Sequence, residues 1–358
     1  MRSPGLAWSL LALVACGNGS STPIDARVTS DAPPQIDSTV PTFDGGTAMI
    51  PEDLPDPLPN GAVSVKVATF NAGLIAVVKG PEERLALQIP ALKALDADVI
   101  CLQEIFTQYT NGPTMAAALA DTYPYSYWTW TGQYVQRNGL LIVSKHPLYR
   151  GRELYYAMGN GGPTVDRMAI GATMVDTNDQ WHANVLCTHM HAGLKAADLP
   201  IKLAEATELN EWAATEGYTT GPTFLLGDFN AGPVPPSFLD SCECDMNGNT
   251  DTTTCDKCDP ADLATWNKLR EVFTDPFPEA ADFFTSGREQ FLQLAVVPGL
   301  FPDEPTQRID HCMYRDLGTA EFIAGDTVLD EPQTIVVNNE TLEYLSDHYG
   351  VLCEFGTP

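Results

Sequence analysis

The order of strand-like and helix-like segments predicts an α/β protein: a four-layer sandwich of two packed mixed β-sheets with helices outside. Short apolar runs of strand length recur along the chain, and two longer segments carry apolar residues at helical spacing. About 300 residues are available for this domain, which is enough for one large core. We therefore expect a single domain over residues 61–358, with its polar strand ends gathered at one edge.

The first half of this domain reads as strand, helix and strand. Residues 63–70 alternate in polarity and predict the first strand, and residues 98–102 and 139–147 predict buried strands. An aromatic segment, residues 123–134, fits either a core strand or a platform that stacks on lipids or bases. Residues 82–95 predict a helix that packs on the sheet, because apolar residues recur at helical spacing: Leu85, Ile89, Leu92 and Leu95.

The second half continues the same alternation of elements. Residues 169–176 and 181–189 predict a β-hairpin, because two strand-like runs flank a short polar turn. Residues 201–216 predict an amphipathic helix, and the apolar run at 223–226 predicts a buried strand.

The N-terminus has the features of an export signal. Residues 1–16 contain Arg2, an apolar run too short to span a membrane, and then Cys16. The tetrad Leu-Val-Ala-Cys at 13–16 resembles a bacterial lipobox, whose cysteine is lipidated; the alternative is an ordinary cleaved signal peptide. We expect an exported protein anchored through acylated Cys16, with the outer membrane or cell surface as its location because Gly17 is not an aspartate.

Residues 17–60 are rich in proline, aspartate, serine and threonine and contain Arg27 as their one basic residue. Such a segment cannot bury enough apolar surface to offset the entropy lost on ordering. We expect a disordered acidic tether between the anchor and the domain.

A carboxylate and an amide follow the buried run at 223–226. Asp228 and Asn230 are two residues apart, so on a continuing strand they would point the same way and could face one cation or one phosphate. Ordinary turn chemistry is the alternative for this pair alone. Other apolar runs also end in polar residues that can bind metal or phosphate: Asn71, Glu104, His189, Asp310, Asp347 and His348.

Together and in this order, these motifs resemble the endonuclease/exonuclease/phosphatase superfamily over about residues 63–355. That fold is shared by pancreatic deoxyribonuclease, abasic-site endonucleases, inositol polyphosphate phosphatases and neutral sphingomyelinases. The resemblance implies a metal-dependent phosphodiester hydrolase that uses Mg²⁺, with Mn²⁺ or Ca²⁺ as substitutes. It also implies Glu104 as the main metal ligand, assisted by Asn71 and Asp347, and Asp228 with Asn230 as a second metal- or phosphate-binding pair.

The resemblance implies acid–base roles as well. Asp310 would orient His348, which acts as general base or stabilises the pentacovalent phosphorus, while His189 supports the departing oxygen. Deprotonation of the attacking water by His348 or by Asp228 stays open. Outside the motifs, His191 is a possible supporting residue, and structural roles are expected for the remaining histidines: His146, His182 and His311.

Residues 241–260 form a cysteine-rich insertion that the resemblance does not explain. Its Cys-x-Cys and Cys-x-x-Cys pairs could bind zinc, but in an exported protein two disulfides are the favoured interpretation. The acidic residues between these pairs form a defective match to a calcium loop. Its cysteines are Cys242, Cys244, Cys255 and Cys258. The other cysteines of the domain lie in apolar strand runs and are expected as buried thiols: Cys101, Cys187, Cys312 and Cys353.

Charge bears on the choice of substrate. The formal net charge of -28 disfavours polyanions, since nucleic-acid binding depends on basic side chains. The motifs at 308–311 and 346–349 are similar to those of secreted neutral sphingomyelinases. The apolar segment 291–301 would then be either a membrane-contacting loop or a buried strand and turn. We expect a monomer that cleaves a phospholipid headgroup; an extracellular nuclease and a catalytically silent binding protein are the alternatives.

Overall fold

The computed structural model describes residues 50–56, 58–75, 77–106, 110–129, 138–157, 165–176, 178–193, 198–215, 218, 220–239, 260–296 and 306–357. The predicted signal peptide, most of the predicted tether, and the cysteines of the insertion lie outside these residues. None of the helices in the described ranges has the length and apolar composition needed to cross a bilayer.

The first sheet has six strands in the order β10-β13-β1-β2-β4-β3. Within it, β1 and β2 are parallel and the other neighbours are antiparallel. Its strands are β1 (Val65–Asn71), β2 (Val99–Gln103), β3 (Tyr125–Tyr127), β4 (Leu141–Ser144), β10 (Glu321–Val328) and β13 (Gly350–Gly356).

The second sheet has five strands in the order β5-β6-β7-β8-β9, and only β7 and β8 run parallel. Its strands are β5 (Leu148–Tyr155), β6 (Met168–Asp176), β7 (Trp181–His189), β8 (Thr223–Asp228) and β9 (Asp310–Arg315). A separate small hairpin pairs β11 (Ile335–Val337) with β12 (Glu340–Leu342).

The helices complete the four layers. Apolar residues of both sheets share one core cluster, whereas α1 and α2 pack on the outer face of the first sheet and α3 and α5 on that of the second. This arrangement confirms the predicted sandwich of two mixed sheets with helices outside. The helices are α1 (Pro81–Ala94), α2 (Gly112–Leu119), α3 (Leu199–Thr215), α4 (Pro236–Leu239), α5 (Pro260–Leu269) and α6 (Arg288–Leu294).

Strand register brings the polar strand ends together. In the second sheet, Asp228 lies opposite His189 on one side and opposite Asp310 on the other. In the first sheet, Asn71 ends β1 beside the end of β2, one residue before Glu104. Because the two sheets pack face to face, these ends meet at one edge of the sandwich.

The expectation that Cys101 and Cys187 are free buried thiols is wrong: they form a disulfide. Cys101 lies on β2 and Cys187 on β7, so the bond joins the two sheets. Both side chains point into the layer between the sheets, a relation that single-strand patterns do not reveal. Among the cysteines that the structure describes, Cys312 and Cys353 are the buried free thiols, as predicted.

Two other segments differ from their sequence-based interpretations. Phe291 to Leu294 belong to α6, not to a strand, and Leu292 is 55% exposed. The rest of the segment predicted as either a membrane-contacting loop or a buried strand and turn, residues 297–301, lies outside the described residues. In the aromatic segment, Tyr125–Tyr127 form a short strand at the edge of the first sheet, and residues 130–134 are not described.

The last residues assigned to the tether contact the domain. The Arg150 amide donates to the Pro51 carbonyl, Glu52 pairs with Arg152, and the Gly61 amide donates to the Gln180 carbonyl. Residues 51 and 52 of the predicted tether therefore contact β5, and the first domain residue, Gly61, contacts the β6–β7 turn. The Gly61 contact lies at the end of the second sheet opposite His189, because β6 pairs with β7 from Met168–His189 to Asp176–Trp181.

We predict that the double variant Cys101→Ala/Cys187→Ala loses about 2–5 kcal/mol of unfolding free energy, because it removes a cross-link over 86 residues of sequence. Chemical denaturation of the oxidised proteins measures this loss. The matched control is Cys312→Ala/Cys353→Ala, which removes two thiols from the same core and no cross-link. Equal losses in the two double variants would contradict the assignment.

Candidate active site

The centre of the strand-end edge is the carboxylate of Asp228. The Asn71 side-chain amide donates to Asp228 Oδ2 across the two sheets at 2.9 Å, and the Asn230 backbone amide donates to Oδ1 at 2.8 Å. Asp228 is 1% exposed. Residue 227, directly before Asp228, has to be glycine for β8 to lie this close to β7. A Cβ at this position would lie 2.1 Å from the Thr188 carbonyl of β7. One carboxylate thus links residues from both sheets.

Two imidazoles face the same oxygen. Asp228 Oδ2 lies 3.4 Å from His189 Nε2 and 3.9 Å from His348 Nε2. The other ring nitrogen of His348, Nδ1, lies 2.8 Å from Asp310 Oδ2. Because a carboxylate only accepts, Nδ1 carries the proton of that bond, and Nε2 is directed toward Asp228. Asp310 therefore orients His348 as the sequence-based interpretation requires.

Glu104 enters from the first sheet on a strained backbone. It follows β2 with φ of 55°, a left-handed value that is uncommon for a residue with a Cβ. Its side chain is 16% exposed, and Oε1 lies 3.8 Å from His189 Nε2. This left-handed backbone conformation directs the Glu104 carboxylate away from the line of β2 and toward the edge where the two sheets meet.

Asp347 is held next to Asn71. The Ser346 hydroxyl donates to the Asn71 carbonyl at 2.7 Å and contacts Asp347 Oδ1 at 3.1 Å. The Gly73 amide donates to Asn71 Oδ1 at 3.0 Å, and Gly73 has φ of 56°. A Cβ at Gly73 would approach Asp347 Oδ1 to 2.4 Å, so glycine permits this carboxylate to reach the site.

The carboxylates of the site raise one another's pKa. Burial raises the pKa of Glu104, and the Asp347 carboxylate raises it further. Burial and the Asp310 carboxylate likewise raise the pKa of Asp228. Clustered buried carboxylates are unfavourable without a cation, and oxygen ligands of this kind suit a hard divalent ion. The ligand atoms of Asp228, Asp310 and His348 also lie within 4.8 Å of one another, and Asp310 Oδ1 has no hydrogen-bond partner among the described residues.

The two histidines have opposite electrostatic surroundings. Burial holds the pKa of His189 well below its usual range, and the nearby Arg167 lowers it further. Burial also disfavours the charged form of His348, but the carboxylates of Asp310 and Asp228 outweigh it and raise its pKa well above the usual range. The surroundings therefore favour the neutral form of His189 and the cationic form of His348.

The structure brings all of the predicted site residues to this edge, but Asn230 is oriented differently from the expectation. Its φ of 48° ends the alternation of β8, so its side chain does not point with that of Asp228. Instead, Nδ2 donates to the Met190 carbonyl, and the backbone amide supports Asp228. In these contacts Asn230 fixes the loop after His189.

Sequence reasoning missed Arg167. This residue is 8% exposed, directly precedes β6, and interacts electrostatically with Glu104 and Asp228. A charged residue immediately before a strongly apolar strand was the available signal. Arg167 brings positive charge to a predominantly acidic site.

The neighbouring residues of the late motifs have supporting contacts. Arg308 and His311 both approach Asp275 Oδ2, at 3.3 and 3.1 Å, and His311 stacks on Phe229. His311 Nε2 also lies 3.0 Å from the Ala231 carbonyl. These contacts fix the loop after β8 and the start of β9 around Asp310.

Comparison with solved structures finds the same fold. Sphingomyelinase C from Streptomyces griseocarneus matches with a TM-score of 0.55 and 16% identity over 82% of this chain and 99% of that chain. A beta toxin variant from Staphylococcus aureus with bound magnesium ions gives 0.57 and 13%, over 83% and 100%. A humanized D. rerio TDP2 gives 0.51 and 14%, over 82% and 99%. Identities this low establish the fold alone.

Sequence comparison supplies the family. No curated protein matches the chain. A family model described as "Endonuclease/Exonuclease/phosphatase family" matches residues 68–348, which span every predicted site residue from Asn71 to His348. The chain thus belongs to the endonuclease/exonuclease/phosphatase family and has the fold of its phosphodiester hydrolases.

Proposed function

We propose that this protein is a divalent-metal-dependent phosphodiesterase that releases the headgroup of a phospholipid, in the manner of a sphingomyelinase. The observation that carries the proposal is the convergence of acidic side chains and an oriented Asp310–His348 pair on Asp228, with His189 on the other side. Each part of a hydrolytic phosphodiesterase is thereby present at one edge of the sandwich.

Glu104, Asn71 and Asp347 are the residues that would hold the cation, and Mg²⁺ fits their oxygen ligands, with Mn²⁺ or Ca²⁺ as substitutes. When bound, a divalent cation withdraws charge from a phosphate oxygen and from the leaving oxygen. A magnesium-bound neighbour of the same fold supports this choice of ion.

The residues opposite these ligands would accept protons and donate hydrogen bonds during hydrolysis. Asp228 Oδ2 and His348 Nε2 are 3.9 Å apart, so a water that contacts both can donate its proton to the Asp228 carboxylate, or to His348 when that imidazole is in its neutral form. His348 is also placed to stabilise negative charge on the phosphoryl oxygens. His189 Nε2, 3.4 Å from Asp228 and 3.8 Å from Glu104, is placed to donate a hydrogen bond to the departing oxygen.

A lipid substrate is favoured by charge and by an apolar surface beside the site. The net charge of -28 opposes a polyanionic substrate. The Phe291 ring of α6 lies 6.3 Å from that of His348, and on the same helix Leu292 is 55% exposed. Val296, just after α6, is 47% exposed. These side chains place apolar surface next to a catalytic imidazole, where a bilayer would lie during headgroup hydrolysis.

We also propose export and anchoring through acylated Cys16, on the basis of residues 1–16. Residues 51 and 52 contact β5, and Gly61 contacts the β6–β7 turn at the end of the second sheet opposite His189. The anchored chain would therefore enter the domain far from the active site, which leaves the active-site edge accessible to external substrate.

Metal binding provides a test that needs no substrate. We predict that Mg²⁺ at about 100 times its dissociation constant raises the unfolding free energy by about 2.7 kcal/mol, because it binds only the folded protein. Glu104→Gln should abolish this gain, whereas Glu354→Gln, an exposed acid at the end of β13, should retain it. Thermal denaturation with Mg²⁺ and with chelator measures both. Full Mg²⁺ stabilisation of Glu104→Gln would contradict the assigned ligand.

Activity is tested with Mg²⁺ on sphingomyelin vesicles, phosphatidylcholine vesicles, and duplex and single-stranded DNA in parallel. We predict release of phosphocholine and intact DNA. His348→Ala should lower kcat by about 10²–10⁴-fold, because it removes the oriented imidazole. DNA cleavage without headgroup release would identify a nuclease instead, and no turnover of any substrate would favour a silent binding protein.

The apolar surface beside α6 can be tested separately. We predict that Leu292→Ser/Val296→Ser slows hydrolysis of vesicle lipid but leaves hydrolysis of bis(p-nitrophenyl) phosphate in solution unchanged. Ile323→Ser is the matched control, since Ile323 is 51% exposed on β10 near Gly356, at the far end of the first sheet. The measurement compares initial rates of hydrolysis of vesicle lipid and of bis(p-nitrophenyl) phosphate for each variant. Equal slowing on the two substrates would argue against an interfacial role.

A further inference from the structure

Helix α1 turns a polar face toward the protein interior. Arg84 and Gln88, one helical turn apart, are both 0% exposed, whereas Leu85 and Ile89 are only partly buried. The apolar spacing predicted the helix but not this face. A buried guanidinium and a buried amide are unfavourable unless their donors are satisfied, so their partners indicate why they are there.

Both side chains donate to the same two backbone carbonyls. Arg84 Nη1 donates to Ala72 O at 3.2 Å and to Leu345 O at 3.0 Å, and Nη2 donates to Gly73 O at 2.6 Å. Gln88 Nε2 donates to Ala72 O at 2.8 Å and to Leu345 O at 2.7 Å. The helix thereby joins two loops that are far apart in sequence.

These loops carry two of the assigned metal ligands. The first begins directly after Asn71, and the second leads into Asp347. Inside the pair of loops, the Ser346 hydroxyl links the Asn71 carbonyl to Asp347 Oδ1. Arg84 and Gln88 therefore join the carbonyl of the residue after Asn71 to the carbonyl two residues before Asp347.

We propose that Arg84 and Gln88 are positioning residues for the divalent cation: from α1 they hold the Asn71 and Asp347 loops at ligand spacing. The proposal rests on the proposed function for the identity of these ligands. Groups that orient metal ligands typically alter metal affinity by about 10- to 100-fold when they are removed. Because the two loops are held in place before the ion binds, binding loses less conformational entropy to their ordering.

The test compares buried Arg84 with partly buried Arg315 in the full protein. Arg84→Met removes the donors to the ligand loops. Arg315→Met removes a guanidinium that donates to the Ala213 and Tyr218 carbonyls at the other end of β9 from Asp310. Electron paramagnetic resonance of free Mn²⁺ gives the dissociation constant of each variant, and denaturation with chelator gives its stability. We expect about 10- to 100-fold weaker Mn²⁺ binding for Arg84→Met only, and a kcat that recovers at saturating Mn²⁺.

If Arg84→Met does not fold, the proposal can still be tested with the variants Gln88→Met and Arg84→Lys. Gln88→Met leaves the guanidinium in place and should weaken Mn²⁺ binding, and Arg84→Lys should fall between wild type and Arg84→Met. Wild-type Mn²⁺ affinity in a folded variant of either residue, or equal weakening by Arg315→Met, would overturn the proposal. A wild type that binds Mn²⁺ but hydrolyses no phosphodiester would refute the proposed function alone, and one that binds no Mn²⁺ would refute both.

Discussion

The hydrogen bond from Asn71 to Asp228 is the contact on which the site depends, because it joins the ends of strands from two different sheets. Each sheet alone supplies an incomplete set of groups. The first contributes Glu104 and Asn71, and the second contributes His189 and Asp310. The two sheets pack face to face, and the disulfide between Cys101 and Cys187 joins them two or three residues before the site. These contacts hold the two sets of groups in a fixed relative position.

Concentrating carboxylates in a buried position is unfavourable, and the structure offsets this with directed partners. Asp228 accepts two amide hydrogen bonds, Asp310 is paired with His348, and Arg167 supplies a cation at close range. The acids that remain mutually repulsive, Glu104 and Asp347, are the ones assigned to a divalent ion. Electrostatic repulsion and the proposed ligand role therefore fall on the same side chains.

Local sequence patterns predicted β1, β2, β4, β6, β7 and β8 together with α1 and α3, and they identified polar strand ends that the structure brings to one edge. Burial imposes a periodicity that is visible in a short window, and a polar residue ending an apolar run is itself a local signal. Other features depend on contacts between distant segments. The disulfide requires that β2 faces β7, and the inward face of α1 requires carbonyls near residues 72 and 345. The orientation of Asn230 depends on a single backbone dihedral, which alternation along β8 does not predict.

The proposed function depends on a divalent cation that binds where the two sheets meet. Anomalous diffraction from crystals soaked in Mn²⁺ locates such an ion directly. We predict a peak coordinated by the Glu104 carboxylate, with Asn71 and Asp347 as neighbours. A soaked crystal with no peak at this edge, or with Mn²⁺ held only by residues 241–260, would contradict it.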